Sequence, residues 1–245
     1  PKALLFQEVP SSKTGVSFIN DLHDTPQLNI LTYLYYYNGA GVAAADFNND
    51  GLLDLYFIGN QVSNKFYLNQ GDFKFKDITE ESNLKGQEGW SSGVSVADVN
   101  GDGWLDIYIC QVSNNKMFEG KNQLYINQGL NEQGIPIFKD EAQRYGIDFS
   151  SYSNQATFFD YDLDGDLDLF LMKNQSIHPS TTFGRFKHDV TNAPAGDKLL
   201  RNDNGHFVEV TQQAGIFSSL TGYGLGLAIS DFNQDGWPDI YVGND

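Results

Sequence analysis

The stretch Asp46-Phe-Asn-Asn-Asp-Gly-Leu-Leu-Asp54 decides the fold. It sets oxygen-bearing side chains at positions one, three, five and nine of a nonapeptide, with glycine at position six. The pattern returns as DVNGDGWLD at 98–106, DYDLDGDLD at 160–168 and DFNQDGWPD at 231–239. These four stretches hold fourteen of the 32 acidic residues of a 245-residue chain whose net charge is −17. Charge spread for solubility does not cluster in this way. Successive starts lie 52, 62 and 71 residues apart, so repetition is the first feature to interpret.

Working outward, each nonapeptide follows a small or apolar run (GVAAAD, GVSVAD, QATFFD, GLAISD) and precedes a β-type run (LDLYFIGN, LDIYICQ, LDLFLMKN, PDIYVGN). Aromatic and β-branched residues on both sides of a Gly/Asn/Asp turn read as a hairpin. A second block recurs as NKFYLNQG (64–71), KNQLYINQG (121–129) and DKLLRNDNG (197–205). Each leads into a further strand-like segment, at 73–84, 137–147 and 206–216. One unit is therefore four strands, A to D, with the acidic loop between A and B. A helical turn fits around Thr79–Leu84 and Thr211–Gly215.

Four-stranded units of this length, repeated along a chain, describe an all-β β-propeller whose neighbouring blades stack to bury both faces. A β-sandwich does not predict the same block three times. Residues 6–18 match the D-strand pattern and are expected to form an outer strand (within 1–20) that closes the last blade of a ring. The blades are expected at 39–88, 89–150 and 151–218, with the first half of a fourth at 219–245. The chain thus reads as the first part of a larger ring of about seven blades.

The acidic loop suits a hard cation. Calcium takes six to eight oxygens in a flexible shell, and alternate residues of a tight loop can aim carboxylates at one ion. Glycine at position six allows the sharp turn, and a backbone carbonyl at position seven adds a ligand. The expected sites are Asp46, Asn48, Asp50, Leu52 and Asp54; Asp98, Asn100, Asp102, Trp104 and Asp106; Asp160, Asp162, Asp164, Asp166 and Asp168; and Asp231, Asn233, Asp235, Trp237 and Asp239. Up to four Ca2+ are expected.

An EF-hand requires a bidentate Glu at position twelve and flanking helices. Here position twelve is Phe57, Ile109, Leu171 or Val242, inside a strand. Magnesium favours fewer protein ligands, and zinc and iron lack His or Cys partners in these loops. An ion-free acidic Asx turn explains one loop better than four alike. A constellation repeated in every blade reads as reinforcement, not as one catalytic centre. Extracellular calcium modules bind at roughly 0.1–1 mM. At about 2 mM ion, a site of about 0.1 mM affinity adds roughly 2 kcal/mol. Such sites fill where calcium is millimolar, which favours an exported location.

These residues resemble the FG-GAP or VCBS repeats of integrin α-chain propellers, through DFNNDGLLDLYF, DVNGDGWLDIYI, DYDLDGDLDLFL and DFNQDGWPDIYV. The wider phrases NKFYLNQG…FKDITEESNL, GDKLLRNDNGHF and GYGLGLAISDFNQDGWPDIYV are similar to bacterial VCBS-repeat surface proteins related to cartilage acidic protein. The resemblance covers almost the whole chain. It implies a calcium-binding propeller, exported and often carried as an outer-membrane lipoprotein at the cell surface.

Several classes are disfavoured. Clustered Lys and Arg are missing, so nucleic acid is not an expected partner. No apolar run approaches the roughly 18 residues of a membrane span. No leader is visible at Pro1, and any original one precedes it. Cys110 has no internal disulfide partner and reads as a small buried hydrophobe. No G-x-S-x-G, phosphate-loop or H-E-x-x-H pattern appears.

Insertions at 19–38, 110–122 and 173–197 are expected on the face opposite the acidic loops, where partners dock. Tyr33, Tyr35, Tyr36, Tyr37, Phe183, Arg185, Phe186 and His188 are the candidate contact residues, unless the tyrosines only cover the ring. A catalytic or metal role for His23, His178 or His188 is a minor alternative, and none is expected for His206. The leading expectation is a non-enzymatic scaffold for a protein partner, possible within an outer-membrane complex. The alternatives are a glycan-binding module and a polysaccharide lyase or hydrolase.

Overall fold

Along Asp54-Leu-Tyr-Phe-Ile58, buried and half-buried residues alternate, as a strand covered more fully on one face requires. The computed structural model describes residues 6–86, 89–113, 118–173, 196–218 and 222–244. Three four-stranded antiparallel sheets and one two-stranded sheet carry the chain. The first holds β1 (Gly41–Ala45), β2 (Asp54–Ile58), β3 (Lys65–Asn69) and β4 (Phe75–Asp77) in chain order. The second holds β5 (Trp90–Ala97), β6 (Asp106–Val112), β7 (Gln123–Leu130) and β8 (Pro136–Asp140). The third holds β9 (Ser153–Phe159), β10 (Asp168–Lys173), β11 (Lys198–Asn202) and β12 (Phe207–Glu209). The last pairs β13 (Gly224–Ser230) with β14 (Asp239–Asn244).

The first strands of successive sheets lie side by side, β1 against β5, β5 against β9 and β9 against β13. They are the inner strands of propeller blades, and the arc they form is not closed. Crowding there explains the glycines of β1 and β5, Gly41 and Gly93. A Cβ on Gly93 would sit 2.3 Å from the Asn154 carbonyl oxygen of the next blade. Hydrogen bonds stitch the neighbouring seams: Asn154 Nδ2 donates to the Gly224 carbonyl at 2.7 Å, and Asn60 Nδ2 to that of Ser91 at 2.8 Å.

The core lies between sheets. Phe47, Tyr56, Ile58 and Phe66 of the first blade pack on Ile107, Ile109, Tyr125 and Phe138 of the second. Val99, Tyr108, Leu124 and Ile126 of the second pack on Leu169, Leu171, Leu200 and Phe207 of the third. Cys110 belongs to this second cluster, and burial pushes its thiol well above the usual range. Position two of the first two acidic loops, Phe47 and Val99, serves these seams. Phe47 is fully buried and meets Phe138 edge-on, at 5.9 Å between ring centroids. Its counterpart in the last sheet, Phe232, is 58% exposed.

Residues 6–20 form no strand. They carry a short helix, α1 (Ser11–Thr14), ended by Gly15 at φ 80°, and then run over the first blade, with Phe18 stacked on Phe57 at 5.1 Å. The expected outer strand belongs to the last blade of a ring, and among the described residues β14 has no third strand beside it on which that pairing could be built. The segments after β4 and β12 do form helical turns, closed by Ser82 N–H on the Ile78 carbonyl and Ala214 N–H on that of Val210. In the second blade the equivalent turn is a helix, α2 (Ala142–Tyr145), where none was expected.

Candidate metal centre: the acidic loops

Each loop is wound by its own aspartates. The position-one carboxylate accepts from the backbone N–H groups of positions five and six. Asp46 does so from Asp50 and Gly51 at 3.0 and 2.7 Å, and Asp98 from Asp102 and Gly103 at 3.0 and 2.8 Å. Asp160 and Asp231 repeat this with Asp164 and Gly165, and with Asp235 and Gly236. Position five turns the chain onward: Asp50, Asp102, Asp164 and Asp235 accept from the N–H of Leu52, Trp104, Asp166 and Trp237. The position-six glycines have φ between 86° and 98°, a region closed to most side chains. Position four is left-handed too, in Asn49, Gly101, Leu163 and Gln234.

Position nine behaves differently from the rest. Asp54, Asp106 and Asp168 are fully buried. One oxygen of each accepts from the N–H of position two: Phe47 at 3.1 Å, Val99 at 2.9 Å and Tyr161 at 2.8 Å. The other accepts from an asparagine N–H on the third strand, that of Asn69, Asn127 or Asn202, each at 2.8 Å. Those asparagines then cap the C–D turn, their Oδ1 accepting from Gly71, Gly129 and Gly205 N–H. Sequence reading missed them as parts of the loop, although the recurring NQG and NDNG were the visible signal.

Burial pushes the Asp54 and Asp168 carboxyls up to about 6 and that of Asp106 to about 7, against their backbone donors. Neighbouring carboxylates of the same loop add to the rise. In the third loop, Asp160, Asp162 and Asp168 each offer an oxygen within 4.8 Å of the others. Asp162 Oδ1 and Asp166 Oδ1 are wholly buried and have no hydrogen-bond partner. An acceptor buried without a donor is costly, and an oxygen-only donor set of this kind fits a hard divalent cation.

The other candidates are dispersed. Tyr33, Tyr35 and Tyr36 are buried against Trp90 and Phe118, so they are core; Tyr37 is exposed and donates to Asp24. Phe183, Arg185, Phe186, His178 and His188 lie outside the described residues. His23 is exposed beside Asp21, and His206 sits in the β11–β12 turn. No helix among the described residues is long and apolar enough to cross a membrane.

The FG-GAP-like repeat model matches residues 46–109 and 190–242, each segment starting at or before an acidic loop and ending in the strand that follows one. Over these two segments the chain is similar to FG-GAP repeats. Among curated proteins, cartilage acidic protein 1 of Xenopus tropicalis is 27% identical over 207 residues, covering 84% of this chain. The Homo sapiens and Mus musculus proteins of that name are 27% and 26% identical over the same length. The chain spans 28–29% of the length of these relatives.

Proposed function

We propose that this chain is a calcium-stabilised, non-enzymatic propeller segment of an exported protein, and that it holds a protein partner at the cell surface. The observation that carries the calcium reading is the pair of buried, partnerless carboxylate oxygens in a loop design repeated four times. In each loop the oxygens of positions one, three, five and nine, with the carbonyl of position seven, would hold the ion. For the first loop these are Asp46, Asn48, Asp50, Asp54 and Leu52. Bound calcium supplies the positive charge that like-charged carboxylates require. The chain itself winds the loop on the position-one and position-five aspartates and tethers it to the third strand through position nine.

Millimolar affinity suits an exported setting, and an outer-membrane lipoprotein is the form we favour. The relatives are named for acidity, and a net charge of −17 is in keeping with that. The blade limits 39–88, 89–150 and 151–218, with a half blade from 219, follow the same repeat. The partner face is the one opposite the acidic loops, where residues 19–38 bond to the β2–β3 turn through Asn20–Asn60 and His23–Gln61.

Calcium should bind in proportion to the loops, and chelation with EGTA should lower the melting temperature by several degrees. A chain that carries no ion in calorimetric titration and melts identically with EGTA would remove the calcium reading. A second reading rests on a cavity of about 410 Å3 lined by Tyr33, Tyr35, Trp90, Asn38, Asn154 and Gln155, with no charged side chain. Aromatic and amide linings suit neutral sugars, and binding on a glycan array would favour that reading over a protein partner.

A further inference from the structure

Three of the four acidic loops satisfy themselves. At position three, Asn48, Asn100 and Asn233 each donate Nδ2 to the position-five carboxylate, Asp50, Asp102 or Asp235, at 2.9 Å. Their Oδ1 atoms accept from the N–H of the same residue. An amide thus stands in each of these loops where the third loop has a carboxylate, and the three aspartates present are engaged by hydrogen bonds.

The third loop departs at two positions. Position three is Asp162, which has no donor to offer Asp164. Position seven is Asp166, where the other loops place Leu52, Trp104 and Trp237. Asp162 Oδ1 and Asp166 Oδ1 are the only carboxylate oxygens among the described residues that are wholly buried without a hydrogen-bond partner. Asp160, Asp162 and Asp168 are also the only three acidic, His or Cys residues among the described ones whose ligand atoms converge within 4.8 Å.

The arginines nearest this loop are already committed. Arg201 spends its fork on Asp203, at 2.7 and 3.1 Å, and Arg144, which shares a cavity wall with Asp166, is paired with Glu141 at 2.5 Å. Among the described residues both arginines are thus paired outside a loop that packs five aspartates into nine residues, although Arg201 still lies within electrostatic reach of Asp162. Affinity in oxygen cages rises with the number of charged ligands and with rigidity.

We propose that the third loop is the tight divalent-cation site of this chain, with the Asp162 carboxylate as a charged ligand where the other loops place an asparagine. It fills first and keeps its ion at calcium levels that empty the other three. This rests on the calcium reading above and adds an order to it. The consequence is graded: as calcium falls, the first, second and fourth hairpins loosen while the third blade stays fastened.

The test is calorimetric titration of the EGTA-stripped, re-dialysed full chain with calcium. One site should bind roughly tenfold or more tightly than the rest. Asp162→Asn, which installs the residue of the other three loops, should abolish the tight class while weak binding persists, and Asp166→Leu, which removes a neighbouring carboxylate, should weaken it. The double variant Asn48→Asp/Leu52→Asp should raise the tight class from one ion to two, a gain that misfolding cannot imitate. Four equivalent sites, or a tight class that survives Asp162→Asn, would overturn the order while leaving the calcium reading intact. Binding of no ion at any loop would overturn both.

Discussion

Asp106 holds two parts of its blade at once, taking the Val99 N–H on one oxygen and the Asn127 N–H on the other, with no exposure to water. Replacing it with leucine strands two buried donors, each worth about 1–3 kcal/mol. Asp106→Leu is therefore expected to lose about 2–5 kcal/mol of unfolding free energy even in EGTA. Asp102→Ala, at an exposed position, should lose far less under chelation and show its effect mainly with calcium present. Urea unfolding with and without the ion separates the two. In the sequence, position nine was legible as an oxygen but only in the role of ligand. Its tie to Asn127 spans 21 residues, and no local pattern announces a side chain that braces a distant strand. Position four was hidden for a different reason: Leu163 adopts φ 61° because the loop hydrogen bonds force it, against its own preference.

At the scale of the strand and the sheet, the period-two pattern and the turn residues carried most of the outcome, since each A–B hairpin and each C–D pair forms where its runs stand. The helices were not legible. A four-residue helix has no hydrophobic period, and α1 is set by Pro10 entering and Gly15 leaving. The tyrosine-rich insertion was ambiguous for a similar reason, because a surface anchor and a core residue look alike until Trp90 and Phe118 are seen to enclose Tyr33. The seams between sheets carry the stability. Phe47 touches Phe66 of its own blade and Phe138 of the next, so Phe47→Ala opens a cavity shared by two elements. A loss of about 3–5 kcal/mol is expected, and hydrogen exchange should show both blades, not one, losing protection.

For the whole molecule, the buried position-nine carboxyls set how stability depends on pH. With calcium removed, Asp54 and Asp168 are pushed up to about 6 and Asp106 to about 7, mainly by burial. An unfolded aspartate releases its proton near pH 4, as a typical value of about 3.9 implies, so the folded chain binds more protons between that point and about pH 7. Stability of the chelated protein accordingly falls as pH rises through this window. Calcium requires ionised ligands, so the increment it adds grows over the same range. The melting temperature in EGTA should be higher near pH 5 than near pH 7.5, and the calcium-induced rise should show the reverse order; scanning calorimetry at the two pH values checks both. A final consequence concerns synthesis. Because each apolar seam is half built by the preceding blade, with Phe47 in place before Phe138 is made, every sheet emerging from the ribosome meets a finished wall on which to condense. Translation order and packing order coincide across the seams of the first three sheets.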